Sequence, residues 1–367
     1  MGILQSNMKI GILGGGQLAM MMIQMSTKHN IDFIVIDPNE NPPASKYAKC
    51  IKSTFTDKSS LDTLIKECDV VTIDFENVPS ESLRYLEEYV TVSPGSHAVE
   101  ICQDRLKEKL MFNRNNIPTT EYKVIDTESD LARAIEELGV DTILKSRKLG
   151  YDGKNQISMN NLATADVWNK SGKVEAILEK KINFKTELSI IGVCTKSGDS
   201  FFYPLVENFH RNGILDTSIA PYNNKKLQKK AEAYHRKISK ELNYVGVLVI
   251  EFFLDHDGIL IANEMAPRVH NSGHWTNEGA NISQFEAHIL AISDISFAKL
   301  SMKGNSAMLN ILSKMPDKKL IEKSSNYQIY DYGKTERRNR KLGHITCIDN
   351  DRDVLEEKIS TLKNIIF

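Results

Sequence analysis

Residues Val247–Arg268 read VLVIEFFLDHDGILIANEMAPR. Two apolar runs flank Asp257-Gly258, a dipeptide favoured in two-residue hairpins because a type I′ turn needs positive φ at both central positions. Counting outward from that turn pairs His256 with Ile259 and sets Glu251 opposite Glu264. Like charges facing each other across paired strands repel, and Glu251 stands among Ile250, Phe252 and Phe253, where hydration is poor. Two carboxylates held together in such surroundings need a shared proton or a cation. A hard divalent ion with oxygen ligands resolves the conflict, and Asn263 brings another oxygen beside it. Magnesium suits the pattern because it takes few carboxylates and leaves positions for phosphate oxygens; manganese is the alternative. The competing reading is a slipped register that leaves one glutamate in solvent. The metal reading points to a nucleotide-triphosphate site, and without a GxxxxGK[ST] run that site is not a P-loop.

A second stretch bears on the same question. The apolar run TILK ends at Lys145, and GYDGKNQ (Gly150–Gln156) then turns the chain toward ISM. A glycine-rich hairpin with exposed N–H groups and a lysine at its root is able to cover phosphates. Taken alone it reads equally as a plain turn; beside the glutamate pair, the phosphate-covering reading is the better one.

With 367 residues the chain exceeds one ordinary core, so two or three domains are expected. Its 41% hydrophobic and 26% charged residues describe a soluble globular protein, and a net charge of −1 argues against nucleic acid or an anionic membrane as partner. Cys50, Cys68, Cys102, Cys194 and Cys347 are scattered without CxxC spacing, which fits a reducing cytoplasm. No run approaches the roughly 20 apolar residues of a membrane span, and the start has no signal-peptide pattern.

Along the chain, MKIGILG, DFIVID and CDVVTIDFE read as strands separated by the helical stretches GGQLAMMMIQMSTKHN and SSLDTLIKEC. This alternation indicates a parallel α/β sheet with right-handed crossovers over residues 1–103. From Asp104 the texture changes: a helix RLKEKLMFNRNN stopped by Pro118, then the strand-like EYKVID, DTILK, AILEKKI, ELSIIGV and FFYPLVE. These suggest an α+β domain over 104–295, and AMLNIL, YQIYDYG and GHITCI a small β-rich unit over 296–367. The basic run KKLQKKAEAYHRKISKEL reads as the solvated face of a helix. Gly14, Gly16 and Ala19 fit GxGxxA between a strand and a helix, and Asp37 ends the next strand, which is the Rossmann dinucleotide fingerprint. The same glycines also serve a simple phosphate site at a helix N-terminus, or a mere tight turn.

GYDGKNQ, ILEKKI, the glutamate pair and PRVHNSGHW together resemble the ATP-grasp superfamily, and within it the N5-carboxyaminoimidazole ribonucleotide synthetase family of purine biosynthesis. The resemblance runs over nearly the whole chain, through GILGGGQL, IDFENV, QDRLKEK, FYPLVENFHRNGIL, NEMAPRVHNSGHWT and RKLGH. It implies a Rossmann-like N-terminal domain, an ATP-grasp central domain and a small C-terminal domain, commonly in a homodimer. It implies that ATP phosphorylates bicarbonate to carboxyphosphate, which carboxylates the exocyclic amine of 5-aminoimidazole ribonucleotide. The rivals are a formate-using ribonucleotide transformylase of the same superfamily, an NAD-dependent oxidoreductase resting on GxGxxA and Asp37, and a nucleotide-binding sensor without turnover.

The resemblance also implies roles. Arg105 and Lys145 contact ATP phosphates under the lid Gly150, Tyr151, Asp152, Gly153, Lys154, Asn155 and Gln156. Glu179, Lys180, Lys181 and Ile182 form the hinge over the adenine, Glu187 is the ribose-binding acid, and His210 a nucleotide-site histidine. Glu251 and Glu264 hold the metal, with Asn263 beside them. Asp152, if it is more than a turn-former, is the general base that takes the amine proton. Arg268, His270, Asn271 and Ser272 line the same cavity, where a guanidinium fork holds bicarbonate or carboxyphosphate. Lys334, Arg340 and Lys341 add positive charge for the ribonucleotide phosphate and the phosphoryl group, their division left open. Gly15, Gly16 and Gln17 then offer donors to the 5′-phosphate, and Glu76 accepts from sugar hydroxyls. The family has glycine where this chain has Asn155, and asparagine is among the residues that best tolerate positive φ.

Overall fold

The structure, a computed structural model, describes residues 7–150, 155–159, 162–317, 321 and 327–366. The chain opens with β1 (Met8–Leu13), β2 (Ile31–Asp37), β3 (Lys49–Lys52), β4 (Val70–Ile73) and β5 (Thr91–Val92). They form one parallel sheet in the order β3-β2-β1-β4-β5, as the strand–helix alternation predicts. The middle strands are apolar almost throughout because helices cover both faces; Ile10, Ile12, Val35, Ile36, Val71 and Ile73 are fully buried. Strand order reverses at β1, between β2 and β4, so the carboxyl ends of β1 and β4 flank the crevice where open α/β sheets receive ligands.

Next come β6 (Tyr122–Ile125), β7 (Thr142–Ser146), β8 (Gln156–Ser158) and β9 (Ala176–Lys180), an antiparallel sheet in the order β6-β9-β7-β8. Lys180–Ile182 leads from β9 into the larger sheet. That sheet holds β10 (Phe184–Cys194), β11 (Ser200–Phe202), β12 (Val206–Arg211), β13 (Ile214–Ala220), β14 (Gly246–Asp255) and β15 (Leu260–Ala266). It continues through β16 (Asn305–Leu312), β17 (Tyr327–Asp331) and β18 (Lys341–Asp349). The order is β15-β14-β10-β12-β13-β16-β18-β17, with β11 on β10. The C-terminal strands therefore extend the central sheet, with β16 paired to β13 from Thr217↔Leu309 to Ala220↔Ser306. The strand runs of the tail are where the sequence puts them, yet they close an edge that β13 would otherwise expose. The basic run forms the helix Lys225–Glu241, which buries Leu227, Ala231, Tyr234 and Ile238 and leaves its lysines outward.

The β14–β15 hairpin reaches the expected pairing by another route. Of Asp257 and Gly258, only Gly258 has positive φ (+79°). Asp255 closes a three-residue loop: its N–H donates to Ile259 O at 3.1 Å, and its Oδ1 accepts from Asp257 N (3.0 Å) and Ile259 N (2.7 Å). That shifts the register by one residue near the turn, to Leu254↔Leu260 and Phe252↔Ala262. A β-bulge with Asn263 as the extra residue then restores Glu251↔Glu264. Asn263 and Glu264 are accordingly both half-exposed, where strict alternation would bury one of them.

Candidate functional site

A cleft of about 920 Å³ opens beside the carboxyl ends of β1 and β4 and the β14–β15 hairpin. Gln17, Glu76, Arg105, Gly150, Glu251, Glu264, Arg268, His270, Asn271, Lys334, Arg340 and Lys341, all singled out from sequence, line it. Glu251 Oε1 and Asn263 Oδ1 are buried without a hydrogen-bond partner, so one oxygen of the pair and the neighbouring amide oxygen are left wanting a cation. Burial pushes both carboxyls up, and at Glu251 the nearby Glu264 adds to the rise. At Glu264, Arg105 and Lys145 outweigh burial, so Glu264 is the ionised member and Glu251 carries the shared proton. Among the described residues no group of three or more Asp, Glu, His or Cys side chains has the arrangement of a metal centre. Two carboxylates and an amide oxygen nevertheless fit magnesium, whose other ligands are water and phosphate.

The helix Arg105–Arg114 builds the floor. Asp104 caps it, accepting from Leu106 N at 2.9 Å, and also binds Arg147 Nη2 at 2.6 Å. Arg105, Glu108 and Lys109 share one helical face, and that face docks on the free edge of β15. Arg105 Nη1 meets Glu264 Oε2 at 2.9 Å, Met265 N donates to Glu108 Oε1 at 2.9 Å, and Lys109 Nζ donates to Asn263 O at 3.2 Å. Lys109 also reaches Glu179 Oε1 at 3.0 Å, and Lys145 Nζ bonds Glu179 Oε2 at 2.6 Å. Burial would raise the Glu179 carboxyl, but Lys145 and Lys109 hold it at about 2. Burial pulls the Lys145 ammonium down; Glu179 opposes the fall, and Arg105 and Lys109 add to it. One carboxylate thus serves two lysines, and the cluster is short of an anion.

Glu179, expected over the adenine, is turned inward to these lysines. Lys180 N and Lys181 N donate to Glu121 O and Asp141 O, both at 3.0 Å. Glu187 and His210 come together from β10 and β12, with His210 Nδ1 2.8 Å from Glu187 Oε2. Burial lowers the His210 imidazolium, but Glu187 and Glu251 raise it further. Neither residue lines the cleft just described. Asn155 has φ of 57°, a conformation that asparagine tolerates, and its Nδ2 donates to Leu149 O at 3.1 Å. Gly150 lies against Arg105: a Cβ there would stand 3.2 Å from Nη2. Gln156 begins β8 opposite Lys145, while Tyr151, Asp152, Gly153 and Lys154 fall outside the described residues.

At the other end, Arg268 Nε bonds Glu76 Oε2, and Nη1 donates to Val269 O at 3.0 Å. Burial and the positive charges of Arg268 and Lys341 keep His270 well below its usual pKa, hence neutral. Ser272, expected on the substrate, is fully buried behind His270. Its Oγ lies 2.9 Å from His270 Nδ1 and accepts from Ser189 at 2.9 Å, so it orients the ring. Asn271 and Asn310 exchange two amide bonds of 3.1 and 2.7 Å. Lys334 Nζ donates to Gln17 Oε1 at 2.5 Å, and Arg340 Nη1 donates to Thr335 Oγ1 at 2.8 Å.

Two N–H groups of the glycine-rich turn are engaged inside the protein. Gly14 N donates to Ile36 O (2.9 Å), and Gly15 N to Asp37 Oδ2 (2.7 Å). The Asp74 carboxylate is packed so close that a Cβ at Gly14 or Gly16 would stand 2.1 or 2.5 Å from its oxygens. Asp37, which a dinucleotide would need for its ribose, is spent on the turn and on Asn39. The Gly15 N–H is thereby taken by Asp37, while Gly16 and Gln17 both line the cleft.

Domain-family sequence models match three parts of the chain: a ribonucleotide synthetase preATP-grasp domain at residues 7–103, an ATP-grasp domain at 110–285, and a phosphoribosylaminoimidazole carboxylase C-terminal domain at 306–358. N5-carboxyaminoimidazole ribonucleotide synthase of Pseudomonas aeruginosa is 39% identical over 360 residues, 98% of this chain and 99% of that one. The chain belongs to the N5-carboxyaminoimidazole ribonucleotide synthase family. As a member it is an ATP-grasp ligase, with the preATP-grasp, ATP-grasp and C-terminal parts of that family. The family's crystal structure from Thermus thermophilus has a TM-score of 0.92 and 37% identity, covering 97% of this chain and 98% of that one. A complex of the Aspergillus clavatus synthase with ADP and 5-aminoimidazole ribonucleotide has a TM-score of 0.88 and 30% identity, covering 98% of this chain and 99% of that one. The family membership removes the oxidoreductase reading, which the use of Asp37 in the turn already opposes. Among the described residues no helix is long and apolar enough to cross a membrane.

Among the residues that escaped the sequence reading are Glu108 and Lys109. Both lie in QDRLKEK, whose alternating charges look like a solvated helix face, yet they are 3% and 1% exposed. Their i, i+3, i+4 relation to Arg105 was the available signal.

Proposed function

We propose that this chain carboxylates 5-aminoimidazole ribonucleotide with bicarbonate and ATP, giving N5-carboxyaminoimidazole ribonucleotide, ADP and phosphate in purine biosynthesis. The observation that carries the reading is the Glu251–Glu264 pair, with the orphaned Glu251 Oε1 and Asn263 Oδ1, beside Arg105, Arg268 and His270. Glu251, Glu264 and Asn263 would hold Mg2+ (or Mn2+), which when bound neutralises phosphate oxygens.

Arg105 and Lys145 supply the cationic surface for the ATP phosphates, while Glu187, His210 and Lys180–Ile182 take the nucleoside under the lid of Gly150–Gln156. Arg268, its guanidinium held by Glu76, presents a fork to bicarbonate. A bicarbonate oxygen attacks the γ-phosphorus as the bond to ADP breaks, giving carboxyphosphate. The exocyclic amine then attacks the carboxyl carbon, the C–O bond to phosphate breaks, and Asp152 accepts the amine proton. His270, kept neutral, and Asn271, kept oriented by Asn310, position the carboxyl oxygens. Lys334, Arg340 and Lys341 bind the ribonucleotide phosphate and the departing phosphate, with Gln17 and Glu76 on the sugar side. In this reading the protein works in the cytoplasm as a homodimer on small molecules, with neither nucleic acid nor membrane as partner.

The test is ADP release with ATP and magnesium, with and without the ribonucleotide and labelled bicarbonate. Release that rises only with the ribonucleotide, with label entering product, supports the assignment. Equal release without it, or label replaced by formate, overturns it.

A further inference from the structure

The helix Gln17–Met25 begins without a cap of its own. Gly16 stands at the N-cap with no side-chain hydrogen bond, and the first turn has no acid. An N-cap side chain ordinarily accepts the N–H of the second or third helical residue, the latter Ala19 here. Here the Asp74 carboxyl, delivered by the end of β4, packs against this turn, and, opposing burial, the Gly16 and Ala19 N–H groups pull its pKa down. Asp74 is 5% exposed, its own N–H donates to Leu13 O at 3.0 Å, and its carboxylate fills the space beside Gly14 and Gly16. This is the crevice at which a parallel sheet and a helix N-terminus together receive a ligand phosphate. Gln17, the first helical residue, meets Lys334 of the C-terminal segment through its side chain. The start of this helix therefore sets how the first unit faces the segment around Tyr332–Lys341.

We propose that Asp74 is a positioning residue for the ribonucleotide: it takes the phosphate's seat at the glycine turn and aims Gln17 across the cleft at Lys334. The first unit then reads the ribonucleotide through the side chains of Gln17 and Glu76 rather than through a phosphate nest. The inference rests on the function proposed above for the identity of that ligand. Burial lifts the Asp74 carboxyl to about 7 against the pull of the Gly16 N–H. Asparagine keeps the shape and one carbonyl acceptor, which makes it the conservative replacement.

The experiment compares wild type, Asp74→Asn, Asp74→Ala and Gln17→Ala in ADP release, varying the ribonucleotide and then ATP. Removing the carboxyl that packs against Gly14 and Gly16 in Asp74→Ala is expected to raise the ribonucleotide KM about ten- to a hundredfold. The KM for ATP and kcat stay near wild type, and Asp74→Asn restores part of the loss. Gln17→Ala raises the same KM, and the double variant adds little, because both changes act through one contact. Parallel losses in both KM values, an unchanged ribonucleotide KM in Gln17→Ala, or additive losses overturn the proposal. Backbone hydrogen exchange over residues 14–19 reads the same role without turnover. It should accelerate in Asp74→Ala and not in Asp74→Asn, and unchanged protection in Asp74→Ala overturns it. If wild type shows no ribonucleotide-dependent release, the function reading fails and the exchange result still decides whether Asp74 holds the helix start.

Discussion

Glu179→Gln tests the buried charge cluster directly. The substitution keeps the side-chain shape and removes one negative charge that sits 2.6 Å from Lys145 Nζ and 3.0 Å from Lys109 Nζ. All three residues are nearly inaccessible, at 3%, 6% and 1% exposure for Glu179, Lys145 and Lys109. Leaving buried charges without their partner costs about 3–5 kcal/mol. The ionisation supports the same order: a carboxyl held at about 2 against its ordinary 4.5 corresponds to roughly 3 kcal/mol. Release of a proton from Lys145, already pulled down by burial, limits the loss. A carboxyl whose folded pKa is depressed contributes stability above its unfolded pKa and loses it as pH falls. Wild type should therefore lose about 3 kcal/mol between roughly pH 5 and pH 2 through this group, a component that the variant lacks. The assay is denaturant and thermal unfolding of both proteins at neutral pH and along that descent, with and without ATP. ATP should stabilise the variant more than wild type, since its phosphates restore an anion beside Lys145. A variant as stable as wild type at neutral pH, or one with an undiminished acid dependence, refutes the reasoning.

Four further outcomes are expected. Glu264→Gln should lower metal-dependent ADP release by at least about a hundredfold while far-ultraviolet circular dichroism stays that of wild type; unchanged release removes the metal pair. Because the folded Glu251 carboxyl is raised, its contribution to metal-free stability should be lost as pH rises through that pKa and be recovered with magnesium, and a gain in metal-free stability on the same rise would contradict it. Arg268→Lys, which gives up a planar fork for a point charge, should slow carboxylation about ten- to a hundredfold with ATP affinity unchanged, as read by calorimetric titration. Asp152→Asn should impair carboxylation more than ATP binding, and equal losses would leave Asp152 a turn residue only.

Where each acid points divides what was legible from what was not. Strand runs, the parallel first sheet and the facing of Glu251 and Glu264 follow from local patterns, because side-chain period and strand–helix alternation are properties of neighbouring residues. Even the mistaken turn at Asp257-Gly258 left the pairing intact, since the bulge at Asn263 returned the one residue that the longer loop had removed. Asn155 at positive φ was likewise legible, as a constraint on a single residue. The inward turn of Glu179, the burial of Glu108 and Lys109, the retreat of Ser272 behind His270 and the packing of Asp74 against the glycine turn were not. Each depends on a partner from another element, and an isolated charge reads the same in sequence whether water or a buried lysine neutralises it. By itself the sequence determined the elements, their periodicity and the chemical types gathered near the cleft. Tertiary structure alone decided which charges were paired and which oxygens were left for a ligand, because burial and partner distance, which set the energy of a charge, are made by residues far apart in the chain.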